Sequence, residues 1–483
     1  MYDAIVVGAG TNGLALGLSL ARAGLRTLIT EQREQVGGQA VTEEPLLPGF
    51  LVHPHANFLS YQDFPAVGEM LSCQTVTPVA QHGLCFRDGR PPLIIHRRDA
   101  PRRTRRSLSR YSAADASTYT RCKRIADRLT PALAALYGSA PHAAAFTRYL
   151  TRLARAYRDI IDTDGLGQSS ARSVIDRLFH TDEIRTLFYL LASEFSGNIE
   201  EPGGDVSLLG YVFWLLGRRR LPIGGMGTVP ETMAHTARNA GAHIRLNTEV
   251  LQVVVEDGAV QGVLLADGER VPAPMVATSS ADRAAMTATE SSRLDQTSPD
   301  VIGSYAACLT EAPHYTSSDH DSDINHCAQT FIGLDTTGEV LQHLAELRSG
   351  QLPAPCGVVR VNTLWDPGQA PEGGHVAGAD CVFPDGLDPT YLSGIEHGYP
   401  AAFADMWRQY APNIEPSLLA HRISIAPDVN RTLVLREGQA QYRGPAKGWY
   451  TCGSTTHPGG GIHGACGTNA AHVILADLRK TTT

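Results

Sequence analysis

Tyr2-Asp3-Ala4-Ile5-Val6-Val7-Gly8-Ala9-Gly10-Thr11-Asn12-Gly13, with a carboxylate further on at Glu31, is the stretch that decides the fold. An apolar run ending in a glycine-rich turn reads as a buried parallel strand feeding a helix, the opening of a dinucleotide-binding unit. Gly8 allows the sharp turn, Gly10 lets backbone N–H groups approach a pyrophosphate, and Gly13 lets the helix pack close to the strand. Thr11 and Asn12, between these glycines, count with them as cofactor-binding residues, and the N-terminus of the helix that follows faces the phosphates. Leu14 to Ala23 favours helix, Gly24 closes it, and Leu25 to Thr30 reads as a second strand. Glu31 at its end accepts hydrogen bonds from the adenosine ribose hydroxyls and would repel a 2′-phosphate, so FAD or NAD fits and NADP does not.

The residues beyond Glu31 separate these two cofactors. Gln32 and Arg33 continue the chain, and Gly37-Gly38-Gln39-Ala40-Val41-Thr42-Glu43-Glu44 then leads to Pro48-Gly49-Phe50. A second pair of glycines lets the backbone pass close to the ribityl and phosphate groups of an extended flavin, which NAD lacks. At the other end of the chain, Gly448 to Gly453 is strand-like and enters Ser454-Thr455-Thr456-His457-Pro458-Gly459-Gly460-Gly461-Ile462-His463-Gly464. A helix is expected next, over Thr468 to Leu478. Folded back on the first unit, this loop presents N–H groups and a positive dipole end to the flavin pyrimidine, with Gly453, Ser454, Gly461, Ile462 and His463 against the cofactor.

These residues resemble the phytoene desaturase-like FAD-dependent oxidoreductases, a group that also holds retinol saturases and, more distantly, amine oxidases. Within it the nearest likeness is to the pyridine nucleotide-disulphide oxidoreductase domain-containing protein 2 branch. The resemblance rests on Gly8 to Leu14, Gly37 to Glu44, Gly224-Gly225-Met226-Gly227, and Cys452-Gly453-Ser454 through Asn469-Ala470-Ala471. It implies an α/β fold in which a Rossmann-type FAD-binding domain is interleaved with an α+β substrate domain, and it implies that the backbone of Val250 meets the adenine edge. A disulphide reductase is not what the residues describe: the nine cysteines include no CxxC or CxxxxC pair, and one pyrophosphate fingerprint is present. Nor does zinc-ligand spacing occur, and no metal is expected.

The motif positions divide the chain into an FAD-binding domain of 1–106, 221–281 and 425–483 and a substrate domain of 107–220 and 282–424. In the middle part, Thr228 with Glu231 reads as a capping box and Pro230 as a first-turn proline, with the helix closing at Gly241. Val250 to Val255, Val260 to Leu265 and Arg270 to Val271 read as a meander turning at Asp257-Gly258 and Asp267-Gly268. Ser112 and Asp115 make a helix start. Related chains carry a glycine-rich stretch between the counterparts of Ala426 to Asn430 and Gln441 to Pro445 that is short here, so the family's substrate does not transfer.

Residues that are 43% hydrophobic and 19% charged, with a net charge of −8, point to a globular enzyme and away from nucleic acid. No run of eighteen apolar residues occurs, and a cleavable leader would remove the first strand, so the cytoplasm is the expected place. Seven arginines (97, 98, 102, 103, 105, 106 and 110) crowd one junction. They read either as a solvated, mobile loop or as a docking strip for an acidic partner, a carboxylate substrate or an anionic membrane surface, which would make the protein peripheral to a membrane. The resemblance implies that His53, His55, His457 and His463 approach the flavin; His55, His457 and His463 are the candidate catalytic groups, against a plain structural role for each.

The expected function is an FAD-dependent dehydrogenase, desaturase or oxidase that moves hydride from a largely apolar organic molecule to flavin N5, with oxygen or a quinone as acceptor. An amine oxidase, a redox-neutral flavin-dependent isomerase and a non-catalytic flavin-bound scaffold are the alternatives.

Overall fold

The computed structural model describes residues 1–64, 72–140, 143–196, 198–279, 300–384, 387, 389–426 and 442–481. Strand β1 (Ala4–Val7) feeds helix α1 (Thr11–Arg22), and strand β2 (Thr27–Thr30) returns beside it in parallel. The helix begins three residues before the expected Leu14: Leu14 N already donates to Gly10 O, so the glycine turn passes directly into helical hydrogen bonding. Gly24 comes next with φ +88°, a helix exit that suits glycine.

Five parallel strands form the first sheet in the order Trp449–Thr451, Val276–Thr278, β1, β2, His243–Arg245. Its strands therefore come from three separated parts of the chain. β1 and β2 are almost wholly buried, as strands covered on both faces must be. The C-terminal helix Ala465–Thr481 crosses α1 so closely that a Cβ on Gly467 would lie 1.9 Å from Asn12 O. It starts earlier than the expected Thr468 because the ring of His463 accepts from Ala465 N at 3.0 Å and so caps its first turn.

A seven-stranded sheet makes the second layer, ordered Leu418–Ala426, Asp300–Leu309, His375–Pro384, Gly357–Arg360, Cys327–Ile332, Ala80–Leu84, Leu93–His96. The hairpin 80–96 thus pairs with the later half of the chain, although the division drawn from sequence motifs puts 1–106 entirely with the flavin sheet. Both hairpin strands are fully buried, and burial of this kind requires ladder partners on the larger sheet. The meander Val250–Glu256, Ala259–Leu265 and Arg270–Pro272 forms a separate antiparallel unit. The expected boundary at 281/282 and the shortened stretch within 427–441 lie outside the described residues.

Two local expectations change. Thr228 does not cap its helix: the helix spans Thr228–Asn239 with Gly227 at its N-cap, and Thr228 Oγ1 instead donates to Gly225 O at 2.7 Å. Thr42 Oγ1 supplies the acceptor for Gly227 N at 2.9 Å, so a distant loop does the capping. The arginine-rich junction is not a mobile loop. Residues Pro101–Ser109 form a helix, pinned to the strand Leu93–His96 by Ser107 Oγ accepting from Ile94 N and Thr104 Oγ1 accepting from His96 N, both at 2.8 Å. Ser112 caps the next helix, Ala113–Arg128, by accepting from Asp115 N at 3.1 Å.

Candidate flavin site

The three glycines of the first turn serve different neighbours. Gly8 has φ +97°, and a Cβ there would collide with Ser279 Oγ at 2.3 Å; a Cβ on Gly13 would lie 2.0 Å from Gly8 O. Both are demanded by the protein itself. Gly10 is not, since its φ is −68° and a Cβ would meet nothing nearer than Gly38 Cα at 3.9 Å. No side chain caps the first turn of α1, and Asn12 Oδ1 is buried with no hydrogen-bond partner among the described residues. Uncapped N–H groups beneath a glycine that packing does not require are what a pyrophosphate needs. Ser279 was not foreseen from the sequence: its hydroxyl donates to Val7 O at 2.9 Å, and Gly453 is held against its carbonyl, which joins the ends of three strands.

At the far end of β2, the buried carboxylate of Glu31 accepts from Ala9 N at 2.8 Å and from Arg33 N at 3.1 Å, which fixes its plane and leaves further acceptor capacity on each oxygen. Thr248 N donates to Glu31 O at 2.8 Å, and this brings the segment leading into Val250 to the same corner. Arg33 donates to Gly38 O at 3.1 Å; Gln32 and Gln39 are exposed beside them, while Ala40 is buried. Gly37 N donates to Ala9 O, so the second glycine pair lies directly across from the first. Sequence-expected residues at Gly8 to Gly13, Glu31 to Arg33 and Gly37 to Ala40 therefore line one crevice at the carboxyl ends of β1 and β2, where ligands of open α/β sheets bind.

A set of polar clamps closes the outer side of that crevice. His53, almost fully buried, has one ring nitrogen 3.2 Å from Thr42 Oγ1 and the other 2.8 Å from Gln369 Oε1, and burial lowers its pKa. Asp366 accepts from Gly224 N at 2.7 Å and from Gln369 Nε2 at 2.8 Å. Gly225 is glycine because a Cβ would meet His53 Cε1 and Thr42 Oγ1, each at 2.6 Å. His55 is half-buried on the same segment.

In the C-terminal loop, Gly453, Ser454, Gly461 and Ile462 lie on one continuous turn, with Gly461 at φ +114° and exposed. His457 and His463 are buried, and each ring makes a backbone bond: His457 Nε2 to Leu136 O at 2.9 Å, His463 Nε2 to Gly460 O at 3.2 Å. His463 Nδ1 is the acceptor for Ala465 N, so its proton sits on Nε2, and burial pushes its pKa down to about 4. The thiols of Cys452 and Cys466 are fully buried and raised by burial, Cys466 to about 11, which leaves them protonated and unreactive. All nine cysteines are free.

A neutral buried histidine has a stability consequence. The unfolded chain, with histidine near 6.5, binds the proton that the native state refuses until about pH 4, so the contribution of His463 is complete above about pH 6.5 and is lost as pH falls toward 4. From pH 6.5 to 5 the loss is about 2 kcal/mol, at about 1.36 kcal/mol per unit. His343, also lowered to about 4, acts in the same direction. Urea unfolding at pH 7 and pH 5 should give a shallower pH dependence for His463→Gln than for wild type; an unchanged difference would contradict this account.

Beside the loop lies a buried aromatic layer that the sequence did not announce. Tyr61 packs edge-on to His463 with ring centroids 5.0 Å apart, touches Phe64, Tyr137 and Trp214, and shares a 2.5 Å hydroxyl contact with Tyr211. Tyr211 stands in a π-helical turn, Leu208–Val212, a distortion frequent at functional sites. These rings come from four distant parts of the chain, and no local spacing links them.

Four of the seven crowded arginines are paired within the chain: Arg97 with Asp99, Arg98 with Asp63, Arg103 with Asp323 and Arg110 with Asp321. Arg102, Arg105 and Arg106 are exposed on the outer side of their helix. Among the described residues no helix is long and apolar enough to cross a membrane.

An open parallel sheet with a glycine-lined crevice at its carboxyl end, a second glycine loop and a C-terminal return loop defines a flavin-binding oxidoreductase. Residues 13–299 match the family described as flavin containing amine oxidoreductase, and the chain belongs to that family. It is 28% identical to pyridine nucleotide-disulfide oxidoreductase domain-containing protein 2 of Mus musculus, over 99% of this chain and 94% of the mouse protein. One of the limonene dehydrogenase subunits of Castellaniella defragrans is 25% identical over 99% of this chain and 95% of its own. A crystal structure of an oxidoreductase from Methanosarcina mazei superposes with a TM-score of 0.62 at 15% identity, covering 98% of this chain and 99% of the other, which shows the shared fold.

Proposed function

We propose that the flavin is FAD and that the protein dehydrogenates a largely apolar organic molecule, leaving a new double bond. Bound FAD would supply the hydride acceptor at N5, and oxygen or a quinone would take the two electrons afterwards. Glu31, fixed by Ala9 N and Arg33 N, supports an adenosine ribose at that corner and hence the dinucleotide. The observation that carries the substrate class is the buried aromatic layer of Tyr61, Phe64, Tyr137, Tyr211 and Trp214 against the C-terminal loop: it makes that flank of the loop apolar and poor in water, which suits an apolar substrate. Likeness to the limonene dehydrogenase chain leans the same way. His457 and His463 hold the loop in place: His457 Nε2 lies 2.9 Å from Leu136 O and both ring nitrogens of His463 are held by backbone, so the substrate's proton is given up to solvent and not to that ring.

The test is anaerobic mixing of the yellow holoprotein with apolar alkenes and, in parallel, primary amines. Loss of visible flavin absorbance with the first supports the proposal; loss with amines alone replaces it by an amine oxidase. Turnover that needs prior dithionite reduction indicates an isomerase, and no response to any substrate indicates a scaffold.

We place the enzyme in the cytoplasm, with Arg102, Arg105 and Arg106 touching an anionic membrane from which an apolar substrate is drawn. Sedimentation with anionic liposomes should exceed that with neutral ones and fall steeply with salt, since exposed charges are screened over about 8 Å at physiological ionic strength. Equal sedimentation with both would remove the membrane from the account.

A further inference from the structure

Behind the aromatic layer, four polar residues from three parts of the fold meet in the interior. His82 and Gln329 are register partners on the parallel strands Ala80–Leu84 and Cys327–Ile332, so their side chains stand on the same face of the sheet. Glu194, on the helix Asp182–Ser196, accepts from Gln329 Nε2 at 3.1 Å and from Arg219 at 2.9 Å through the same oxygen, Oε1. Its other oxygen, Oε2, is buried with no hydrogen-bond partner among the described residues. The same holds for Gln329 Oε1 and for both ring nitrogens of His82, which are 2% and 0% exposed as residues. Ser60 Oγ is a further such atom; Leu59 beside it exchanges both backbone hydrogen bonds with Arg220, which sets Ser60 opposite Arg219.

Buried polar atoms without partners cost stability, so a cluster of them implies a ligand or ordered water. We propose that His82, Glu194, Arg219 and Gln329 form the polar end of the substrate site and hold the hydroxyl group of an otherwise apolar alcohol. This rests on the reading above that the substrate is largely apolar.

Three features select that group. The unpartnered atoms are mostly acceptors, Glu194 Oε2 and Gln329 Oε1, which call for a donor; the N–H of a neutral His82 calls for an acceptor as well. A hydroxyl is both. The charges of Arg219 and Glu194 already cancel one another, and burial with the nearby Arg219 charge keeps His82 uncharged, so an ammonium or a carboxylate would enter uncompensated. The cluster also adjoins the aromatic layer: the charges of Arg219 and Glu194 act on the Tyr211 hydroxyl, and Tyr211 meets Tyr61, which touches His463 of the C-terminal loop. The proposed molecule would lay its carbon against the rings and its hydroxyl at Gln329.

The holoprotein can be titrated with 1-decanol, decyl methyl ether and decane, with perturbation of the flavin spectrum as the readout. The ether keeps the oxygen and loses the donor. The alcohol should bind about tenfold to a hundredfold more tightly than either, as expected for a hydrogen bond to a charged or buried acceptor. Gln329→Leu should cut that preference by about tenfold. Equal affinity of alcohol and ether in wild type, or no measurable binding of the alcohol, overturns the proposal and leaves ordered water as the partner of these atoms. The readout is binding, so tight alcohol binding by a protein whose flavin no apolar substrate bleaches sinks the dehydrogenase reading alone. Bleaching by hydrocarbons with no preference for alcohols sinks the polar pocket alone.

Discussion

Gly10→Val protein is expected to fold and to come off purification nearly colourless, with flavin bound at least about a hundredfold more weakly than in wild type, close to 3 kcal/mol. The backbone at Gly10 is ordinary, and a Cβ there meets only Gly38 Cα at 3.9 Å, so the native chain accommodates a side chain. The volume it occupies lies over the uncapped first turn of α1, where a pyrophosphate would take the N–H groups. Gly13→Ala is the contrasting control. Its Cβ would sit 2.0 Å from Gly8 O, so that variant should lose thermal stability whether or not flavin is present. Full flavin occupancy in Gly10→Val, measured by absorbance against protein concentration, would remove the pyrophosphate from this turn.

The second large effect belongs to Gly461→Val. At φ +114° a branched residue is strained by about 1–3 kcal/mol, and its Cβ would press on the Tyr61 hydroxyl at 2.7 Å. The loop must then move off the aromatic layer, and with it off the flavin ring it would face. With its N–H groups and the N-terminus of the helix Ala465–Thr481 displaced, the stabilisation of an anionic reduced flavin, about 0.3 to 2 kcal/mol, is lost. The expected result is an empty site or a lowered midpoint potential. His457→Gln, by contrast, should change turnover by less than about tenfold, because His457 is occupied with Leu136 O and a catalytic base contributes about a hundredfold or more. Normal flavin content and potential in Gly461→Val, together with loss of flavin reduction in His457→Gln, would reverse the two roles.

How much of this was legible in the sequence depends on the distance over which each feature is specified. The turn from Gly8 to Gly13 and the carboxylate at Glu31 are local, because strand, turn and helix succeed one another within one unit, and the parallel pairing of β1 with β2 comes with them. Ser112 was readable for the same reason: a cap bonds its own helix. Thr228 misled because the acceptor its helix uses is Thr42, far away in the chain, and a motif carries no trace of such a partner. The arginine run reads as a loop through its charge, while Thr104, Ser107 and Leu108, spaced to face a sheet, carry the helical signal. Position in the chain places the hairpin 80–96 with the flavin sheet, whereas its burial on both faces decides its true partner. The aromatic layer and the His82–Glu194–Arg219–Gln329 cluster exist only in three dimensions, assembled from strands and helices that share no spacing.

One measurement bears most directly on the central claim that this crevice holds FAD for redox chemistry. Purified protein, denatured after extensive dialysis, should release FAD equimolar with the chain, identified by mass spectrometry of the supernatant, and the Glu31→Lys variant should release far less because the ribose acceptor is replaced by a charge of the opposite sign. Release of FMN or NAD in place of FAD, or a wild-type protein that holds no flavin and takes up none when FAD is added, would contradict the account.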